Sequence, residues 1–376
     1  MTYNTSVSTP AVASVQPVNH TQPQPATRTL KVALDVHLLQ YTVAMQYDGR
    51  TPKPRQRFTP KAFLASVEKQ MAQGWRVITC YEAGPFGYVL HRQLEALGVH
   101  NLVVCPQSWD ELGTGVKTDK SDARALCVRL GLYAAGNRRI FSVVHIPTPE
   151  QERARAETRL REQVRRTRQR IEAQGRSLLL AQGCRVTGRW WQSAHWLQLG
   201  ASLPGWLVDL LDPLRECILK AHQKTEHLTR TVKEAAMGSQ PVGLGALSSE
   251  VIDREIGDWS RFSNRRQIAS YTGLCPGEHS SGGSRRLGSV TKHGNPRLRH
   301  TLIEAAWRLV RFQPGYRAVQ RWNSVLSAPS RRTDARKKAI VAVARQLAID
   351  LWRIRTGRVQ AEALGLQLNP TQEFVI

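Results

Sequence analysis

Residues 30–36 read Leu-Lys-Val-Ala-Leu-Asp-Val, a short apolar run that contains a single acid, Asp35. Apolar and β-branched side chains in a run of this length predict a buried strand. A carboxylate that is buried without a partner costs several kcal/mol or changes its protonation. We therefore expect Asp35 to have a cationic partner and to belong to a functional site.

Strand and helix patterns alternate along the chain after this run. The residues 48–49, Asp-Gly, form a typical hairpin turn, and Thr59-Pro60 is a typical helix start. The predicted elements are strands at 30–36, 41–47 and 55–58, a helix at 60–73, a strand at 75–81, a helix ending near residue 97, a strand at 101–105 and a helix at 122–134. Three meandering strands followed by strand–helix repeats predict a mixed α/β sheet.

Three further acids lie at the ends of predicted elements. Glu82 follows a strand, and Asp119 and Asp122 stand three residues apart at the start of a helix, where they share one face. Acids in a first helical turn also complement the helix dipole, which is the alternative interpretation of this pair. Four carboxylates within ~5 Å would repel by roughly 3 kcal/mol per pair at an effective dielectric constant of about 20. Two Mg²⁺ ions ~3.5–4 Å apart would turn the cluster into a site for phosphoryl displacement.

The element order resembles the ribonuclease-H-like fold in its RuvC-type branch. Local motifs at 34–36 (Leu-Asp-Val), 81–84 (Tyr-Glu-Ala-Gly), 117–119 (Lys-Thr-Asp) and 122–123 (Asp-Ala) are similar to those of a group of bacterial insertion-sequence transposases with an Asp-Glu-Asp-Asp quartet. The resemblance implies a RuvC-like catalytic domain of α/β class over residues 29–147. It also implies that the quartet binds Mg²⁺ and is catalytic.

The composition favours a nucleic-acid partner. Lys and Arg number 54 against 29 Asp and Glu, which gives a net charge of +25. Such an excess indicates a polyanionic partner, and ten Trp beside many Arg favour nucleic acid over a membrane surface. No apolar run approaches the ~18 residues of a membrane-spanning helix.

The cysteines and the first residues bear on the compartment. The six cysteines are scattered without a Cys-x-x-Cys pair, so we expect reduced thiols and no zinc. Residues 1–28 lack both the basic start and the apolar centre of a secretory signal, and we interpret them as a disordered tail. The pattern predicts a cytoplasmic protein, and the resemblance implies a bacterial one associated with the nucleoid.

Residues 148–237 predict a basic helical coiled-coil arm of two antiparallel helices. Residues 150–180 contain no proline, and a half-polar heptad seam is formed by Leu160, Val164, Thr167, Ile171, Gln174 and Leu178. Arginines cover the other faces, and we predict that Arg159, Arg165 and Arg166 lie along nucleic acid. The alternative is a helix that packs on its own domain. His222 and His227 are five residues apart, off the helical step, and are not expected to bind metal.

Residues 238–357 predict a second, mostly α-helical domain. Its first residues, 241–247 (Pro-Val-Gly-Leu-Gly-Ala-Leu), resemble a helix-hairpin-helix element in which the amides of Gly243 and Gly245 approach a phosphate. A plain glycine loop before a capped helix is an equal alternative. Residues 358–376 are expected to be a peripheral C-terminal tail.

The segment Ser280-Ser281-Gly282-Gly283-Ser284 indicates, by composition alone, a flexible loop. Its position matches the second signature of the same transposase family, in which a serine directly before a glycine attaches to cleaved DNA. The resemblance therefore implies that Ser281 is the nucleophile, and Ser280 takes that role if the register shifts by one residue. Four nearby residues carry over as phosphate contacts: Arg285, Arg286, Lys292 and His293.

The resemblance covers residues 30–355 and implies a recombinase of an insertion sequence. Its partners would be donor and target DNA, a structured guide RNA from the element, and further copies of the chain in a dimer or tetramer. Composition alone supports only a metal-dependent enzyme acting on nucleic acid. Two alternatives remain: a metal-dependent nuclease similar to Holliday-junction resolvases, and a nucleic-acid-binding protein without catalytic activity.

Overall fold

The computed structural model describes residues 28–106, 119–236, 238–279, 284, 286–328 and 333–369, with the side chains of 119–122 and 333 outside the description. The chain divides into two compact units, Met1–Ile146 and Pro147–Ile376. The division falls one residue before the predicted end of the first domain. The predicted arm and the predicted second domain belong to one unit, because the long first arm helix packs against the helical domain that follows.

The first unit contains a five-stranded mixed sheet. Its strands are β1 (Thr29–Val36), β2 (Tyr41–Tyr47), β3 (Gln56–Phe58), β4 (Arg76–Glu82) and β5 (His100–Val104). The spatial order is β3-β2-β1-β4-β5, with β1, β2 and β3 antiparallel and β1, β4 and β5 parallel. The prediction of a mixed α/β sheet is confirmed.

Three helices cover the two faces of this sheet: α1 (Pro60–Ala72), α2 (Val89–Ala96) and α3 (Asp119–Ala134). Leu34 and its face of the sheet pack with Phe63 of α1 and Leu94 of α2. Ala33 and Cys80 point to the other face and pack against α3. Since side chains alternate along a strand, every second residue of β1 and β4 faces α3.

The second unit is mostly helical. Its elements are α4 (Pro149–Ala181), α5 (Ser193–Ser202), α6 (Gly205–Glu234), α7 (Ala246–Ile256), α8 (Arg265–Thr272), β6 (Pro276–Glu278), β7 (Leu287–Val290), α9 (Pro296–Phe312), α10 (Arg317–Arg321), α11 (Asn323–Leu326), α12 (Thr333–Arg355) and a 3₁₀ turn at Glu362–Leu364. The helices α4 and α6 run antiparallel, as predicted for the arm. The connection between them contains a short helix, α5.

The predicted heptad seam of α4 is confirmed in part, because Ile171 and Leu178 pack against the buried core of the arm. The side chains that α4 buries are Thr158, Glu172, Gly175 and Leu179, whereas Leu160 is 49% exposed. A polar contact across the arm adds to this seam. Arg161 donates from Nε to Thr229 Oγ1 at 2.7 Å on the facing helix. An apolar repeat alone could not predict such a polar contact.

Residues 358–369 pack into the second unit, so the predicted peripheral tail is wrong for these residues. Ala361, Leu364 and Leu366 are at most 4% exposed. The Gln367 carbonyl accepts a hydrogen bond from the Val242 amide at 2.9 Å. The segment therefore extends the core of the second unit.

No helix among the described residues combines the length and the apolar character needed to cross a bilayer.

A glycine in α4 allows the arm to close on a buried tryptophan. Trp190 is fully buried and donates from Nε1 to the Glu172 carbonyl at 3.1 Å. A Cβ atom at position 175 would overlap the indole of Trp190. We expect Gly175→Ala to lower the free energy of unfolding by about 1–3 kcal/mol, because overpacking outweighs the gain in helix propensity. Chemical denaturation of the full chain measures this change.

The matched control is Gly200→Ala in α5, where a Cβ atom would meet nothing within 4 Å. That variant should be neutral or up to about 1 kcal/mol more stable, because alanine favours a helix. Equal effects of the two substitutions would contradict the packing role of Gly175.

Candidate functional site

Asp35 and Glu82 stand side by side at the carboxyl ends of two neighbouring parallel strands. In the β1–β4 register Leu34 pairs with Tyr81, and the two acids are the next residue on each strand. Asp35 lies two residues after Ala33 and Glu82 two residues after Cys80, so both acids belong to the face covered by α3. Neighbouring strands lie about 4.8 Å apart, which brings the carboxylates together.

The two acids line one cleft with a volume of ≈ 340 Å³. The rest of its wall is formed by the ends of β1 and β4, the turn after β4 and the first described side chains of α3. These lining residues are Leu34, Val36, His37, Tyr81, Ala83, Gly84, Pro85, Phe86, Gly87, Ala123 and Leu126. The sheet therefore presents a solvent-accessible site with two carboxylates at its end.

His37 is a site residue that the sequence analysis missed. Its Nε2 lies 3.2 Å from Asp35 Oδ2, and its ring makes an edge contact with Phe86, with centroids 6.4 Å apart. This contact restricts the orientation of the Asp35 carboxylate. The sequence did contain a signal, because His37 is two residues after Asp35 and such residues lie on the same side of an extended chain.

Two ionisable side chains next to the acids on β4, Cys80 and Tyr81, are uncharged. Burial raises the pKa of the Cys80 thiol well above its ordinary value, and the neighbouring Cys127 and Glu82 add to this effect. Burial also raises the pKa of Tyr81 to about 12. Both side chains are therefore neutral at physiological pH, and the carboxylates carry the charge of the cleft.

The other two acids of the predicted quartet begin α3. Its first residue is Asp119, three residues earlier than predicted, and the side chains of Asp119 and Asp122 lie outside the described residues. Ala123, the residue after Asp122, lines the cleft. Over the described side chains, no three His, Cys, Asp or Glu residues are arranged to hold a metal ion. Asp35 and Glu82 nevertheless supply the hard oxygen ligands that Mg²⁺ prefers alongside water.

The predicted nucleophile lies in the connection of a two-stranded hairpin. Ser280, Ser281, Gly282, Gly283 and Arg285 lie outside the described residues. The flanking strands β6 and β7 are antiparallel, and the His279 amide donates to the Arg286 carbonyl at 2.9 Å. The structure therefore brackets the serine segment between two paired strands.

The predicted phosphate contacts Lys292 and His293 are exposed and follow this hairpin. The backbone holds their segment against the residues before β6, because the Lys292 amide donates to the Gly273 carbonyl at 3.2 Å. Lys292 has φ +57°, a left-handed conformation that is uncommon for a residue with a side chain. The backbone segment around Gly273 therefore fixes the position from which the Lys292 side chain projects.

Glu255 connects α7, the arm and the start of α9. Its side chain is fully buried and accepts hydrogen bonds from Arg159 Nε at 2.9 Å, Arg159 Nη2 at 2.8 Å and Asn295 Nδ2 at 2.7 Å. Burial raises the pKa of Glu255, but the hydrogen bonds from Arg159 and Asn295 outweigh it, and the pKa is lowered. Arg159, predicted to lie along nucleic acid, thus has two guanidinium nitrogens bound to protein.

Arg165 and Arg166 also have a protein partner. Both hydrogen-bond to the Glu162 carboxylate, at 2.9 Å from Arg165 Nη2 and 2.6 Å from Arg166 Nε. Burial raises the pKa of Glu162, but these bonds lower it to about 2. The two arginines line a cleft of ≈ 870 Å³ between α4, α7 and α9, together with Arg297 and Arg308.

Gly243 and Gly245 form the turn before α7. Gly243 has φ +88°, and a Cβ atom there would lie 3.4 Å from Phe312 Cβ. Gly245 is the N-cap of α7, and no side chain caps this helix. The positive φ angle and the packing against Phe312 explain why residue 243 is glycine without a ligand. At Gly245, no side chain accepts a hydrogen bond from the first amides of α7.

Comparison with known proteins identifies the family. Residues 240–321 match the model described as the transposase IS116/IS110/IS902 family. The chain is 31% identical to a Sinorhizobium fredii protein named as the transposase y4rJ, over 73% of this chain and 76% of that protein. It is 30% identical to y4qE of the same organism, also named as a transposase, over 86% and 87%.

The transposase for insertion sequence element IS1111A of Coxiella burnetii is 26% identical, over 59% of this chain and 62% of that protein. The chain thus belongs to a class of enzymes that move DNA elements. It is a member of the IS116/IS110/IS902 family of transposases.

The Glu255 junction is testable by one isosteric change. Glu255→Gln leaves Arg159 without its carboxylate partner, and breaking a buried ion pair costs about 3–5 kcal/mol. Because Arg159 is 41% exposed and water can solvate it, we expect a loss near about 3 kcal/mol at pH 7. Urea denaturation of the full chain measures the loss, with the exposed Glu304→Gln on α9 as control.

The pH dependence gives a second readout of the same variant. A carboxyl with a lowered folded-state pKa contributes stability above its unfolded pKa and loses it as the pH falls through the folded pKa. The difference between wild type and Glu255→Gln should therefore shrink as the pH falls below about 4.5. A difference that is constant across this range would contradict the ion pair.

Proposed function

We propose that this transposase cuts and rejoins DNA strands of its insertion sequence through a Mg²⁺ site and a serine nucleophile. The metal ligands would be Asp35, Glu82, Asp119 and Asp122, with two ions bound, and the nucleophile would be Ser281. The proposal includes a RuvC-type, ribonuclease-H-like architecture for the first unit. Membership of the transposase family supports the reaction class.

The observation that carries the metal proposal is the meeting of Asp35 and Glu82 in one cleft that α3 also lines. Two acids on adjacent parallel strands are fixed by backbone hydrogen bonds, so their separation does not depend on flexible loops. The first turn of α3 begins at Asp119, and Ala123, the residue after Asp122, lines the same cleft, which supports including these two acids in the quartet.

The residues of the chain would act mainly by holding and orienting groups. His37 restricts the Asp35 carboxylate through the contact at 3.2 Å. Cys80 and Tyr81 beside them are neutral, so Asp35 and Glu82 carry the negative charge of the cleft. Bound Mg²⁺ would neutralise the carboxylates and stabilise negative charge on the attacking and leaving oxygens of a phosphodiester.

The serine step needs no external energy source, because one P–O bond forms as another breaks. The proton of Ser281 Oγ passes to a base, the Oγ–P bond forms, and the P–O bond of the DNA strand breaks as its oxygen gains a proton. The product is a phosphoserine–DNA ester, which retains the phosphodiester bond for later transfer to another strand. Gly282 and Gly283 have no side chains and would let the DNA backbone approach.

Further parts of the proposal rest on the family resemblance together with the charge of the chain. A structured guide RNA from the element would pair with donor and target DNA, and the net charge of +25 suits both nucleic acids. A dimer or tetramer would form on the RNA–DNA complex, with Arg285, Arg286, Lys292 and His293 near the phosphates. Cytoplasmic, nucleoid-associated localisation follows from these partners.

The metal site predicts a loss of cleavage when a carboxylate is replaced by an amide. We expect Asp35→Asn or Glu82→Gln to reduce Mg²⁺-dependent strand cleavage by more than about 10²-fold, because even indirect metal partners contribute 10–100-fold. The measurement is single-turnover cleavage of labelled donor DNA with purified protein and its co-purified RNA.

The control variant Glu68→Gln changes an exposed acid on α1 of the same unit and should cleave at the wild-type rate. Chelation of divalent metal should abolish wild-type cleavage. Full cleavage by Asp35→Asn, or by the wild type in chelator, would refute the metal site.

The serine proposal predicts a covalent adduct. Wild-type protein incubated with donor or target DNA should yield a denaturation-resistant protein–DNA band, and Ser281→Ala should lose it. Ser280→Ala, which changes the adjacent hydroxyl, should largely keep the band. The opposite pattern would assign the nucleophile to Ser280, and Mg²⁺-dependent cleavage without any adduct would favour a resolvase-like nuclease.

A further inference from the structure

A second strongly basic cleft lies in the C-terminal part of the second unit, where α8, α10 and α12 meet. Its volume is ≈ 950 Å³. Five arginines that line it form no ion pair with any residue the structure describes: Arg265, Arg266, Arg317, Arg321 and Arg345. Two more, Arg353 and Arg358, complete its wall. We call this feature the arginine cleft.

One carboxylate lines the arginine cleft, and its hydrogen-bonding capacity is used. Asp350 is 2% exposed and accepts from the Tyr316 hydroxyl at 2.7 Å, Gln346 Nε2 at 3.0 Å and Arg353 Nη1 at 3.3 Å. It therefore offsets the charge of Arg353 but not that of the other arginines. Like charges brought together in this way repel one another unless an anion binds between them.

Two buried donors in the wall of the cleft also have no acceptor within the described part of the chain. They are Arg345 Nε and Trp352 Nε1. Both atoms are buried, so the donors that a ligand can reach are the exposed guanidinium groups of the cleft.

The backbone amides at the start of α8 are not free to bind a ligand. Asn264 Oδ1 already accepts from the amides of Arg266 and Gln267, at 3.0 and 3.1 Å. The accessible donors of the cleft are therefore guanidinium groups of arginine side chains, which come from α8, α10 and α12.

We propose that the arginine cleft binds the phosphodiester backbone of a nucleic-acid strand. Guanidinium groups pair with phosphate through two parallel hydrogen bonds, and all the cations of the cleft are arginines. The half-buried Trp322 provides an aromatic surface for a base, which a purely ionic site for an acidic peptide would not need. RNA and DNA share this phosphate chemistry, and the experiment separates them.

This inference goes beyond the proposed cleavage chemistry, because the cleft contains neither the quartet nor the serine segment. Binding can be measured with a chelator present, so that neither metal nor strand cleavage contributes. A failure of the arginine cleft is then distinct from a failure of the metal site or of Ser281.

The test uses the full chain with Arg266→Gln, Arg317→Gln and Arg321→Gln combined, three exposed arginines from α8 and α10. Fluorescence anisotropy measures the affinity for 20-nucleotide single-stranded RNA, single-stranded DNA and duplex DNA as a function of salt. Loss of three phosphate contacts should lower the affinity for the bound nucleic acid by about 10²-fold at 0.1 M salt and reduce the slope of log K against log salt by about 2–3.

The matched control combines Arg50→Gln, Arg55→Gln and Arg57→Gln, three exposed arginines of the first unit with the same total change of charge. The control should change affinity and slope much less than the cleft variant. Equal changes in the two variants would overturn the proposal, because they would reflect overall charge. The nucleic acid that shows the larger loss identifies the bound strand as RNA or DNA.

Two further measurements keep the test decisive. If polyglutamate binds and shows the same selective loss, the ligand is an acidic protein and the nucleic-acid proposal fails. Ultraviolet cross-linking of the wild type to 4-thiouridine RNA or 4-thiothymidine DNA, followed by mass spectrometry, should locate a cross-link in the peptide that contains Trp322. Cross-links confined to other segments would overturn the assignment even if the triple variant folds poorly.

Discussion

The buried carboxylate of Glu255 is the interaction on which the organisation of the second unit depends. It accepts hydrogen bonds from Nε and Nη2 of Arg159 on the arm helix α4 and from Nδ2 of Asn295, the N-cap of α9. The carboxylate therefore joins the arm to the start of α9. A charge with no exposed surface is tolerated only when its hydrogen bonds are satisfied, so the two partners must be placed before the core can close. The hairpin that carries the serine segment ends just before this N-cap, and its position is therefore tied to the arm.

The first unit fixes its acidic site in a different way. Asp35 and Glu82 owe their proximity to the parallel pairing of β1 and β4, and the pleat directs them both to the face that α3 covers. Backbone hydrogen bonds place the two residues, while His37 adds an orienting contact through its side chain. Carboxylates held on rigid strands suit a metal site, because the ligands need little reorganisation when cations bind.

Arginine has two distinct roles in the second unit. Along α4 the arginines pair with Glu162 and Glu172 of the same helix and with Glu255 of α7. In the arginine cleft five guanidinium groups have no such partner among the described residues. The same residue type therefore stabilises the arm in one place and leaves uncompensated charge for a polyanion in another.

The sequence by itself determined the mixed sheet, the two long helices of the arm, the mostly helical character of the second unit, and the position of Asp35 within a strand and of Glu82 at a strand end. These follow from local periodicity and turn residues, which act over a few neighbours. Only the tertiary structure decided which residues α4 buries, the burial of Ala361, Leu364 and Leu366, the partner of Arg159 and the gathering of arginines from α8, α10 and α12. Each of these depends on contacts between residues far apart in the chain. A local sequence pattern does not distinguish a paired arginine from an unpaired one. The physical difference is whether folding brings a carboxylate within hydrogen-bonding distance of the guanidinium group.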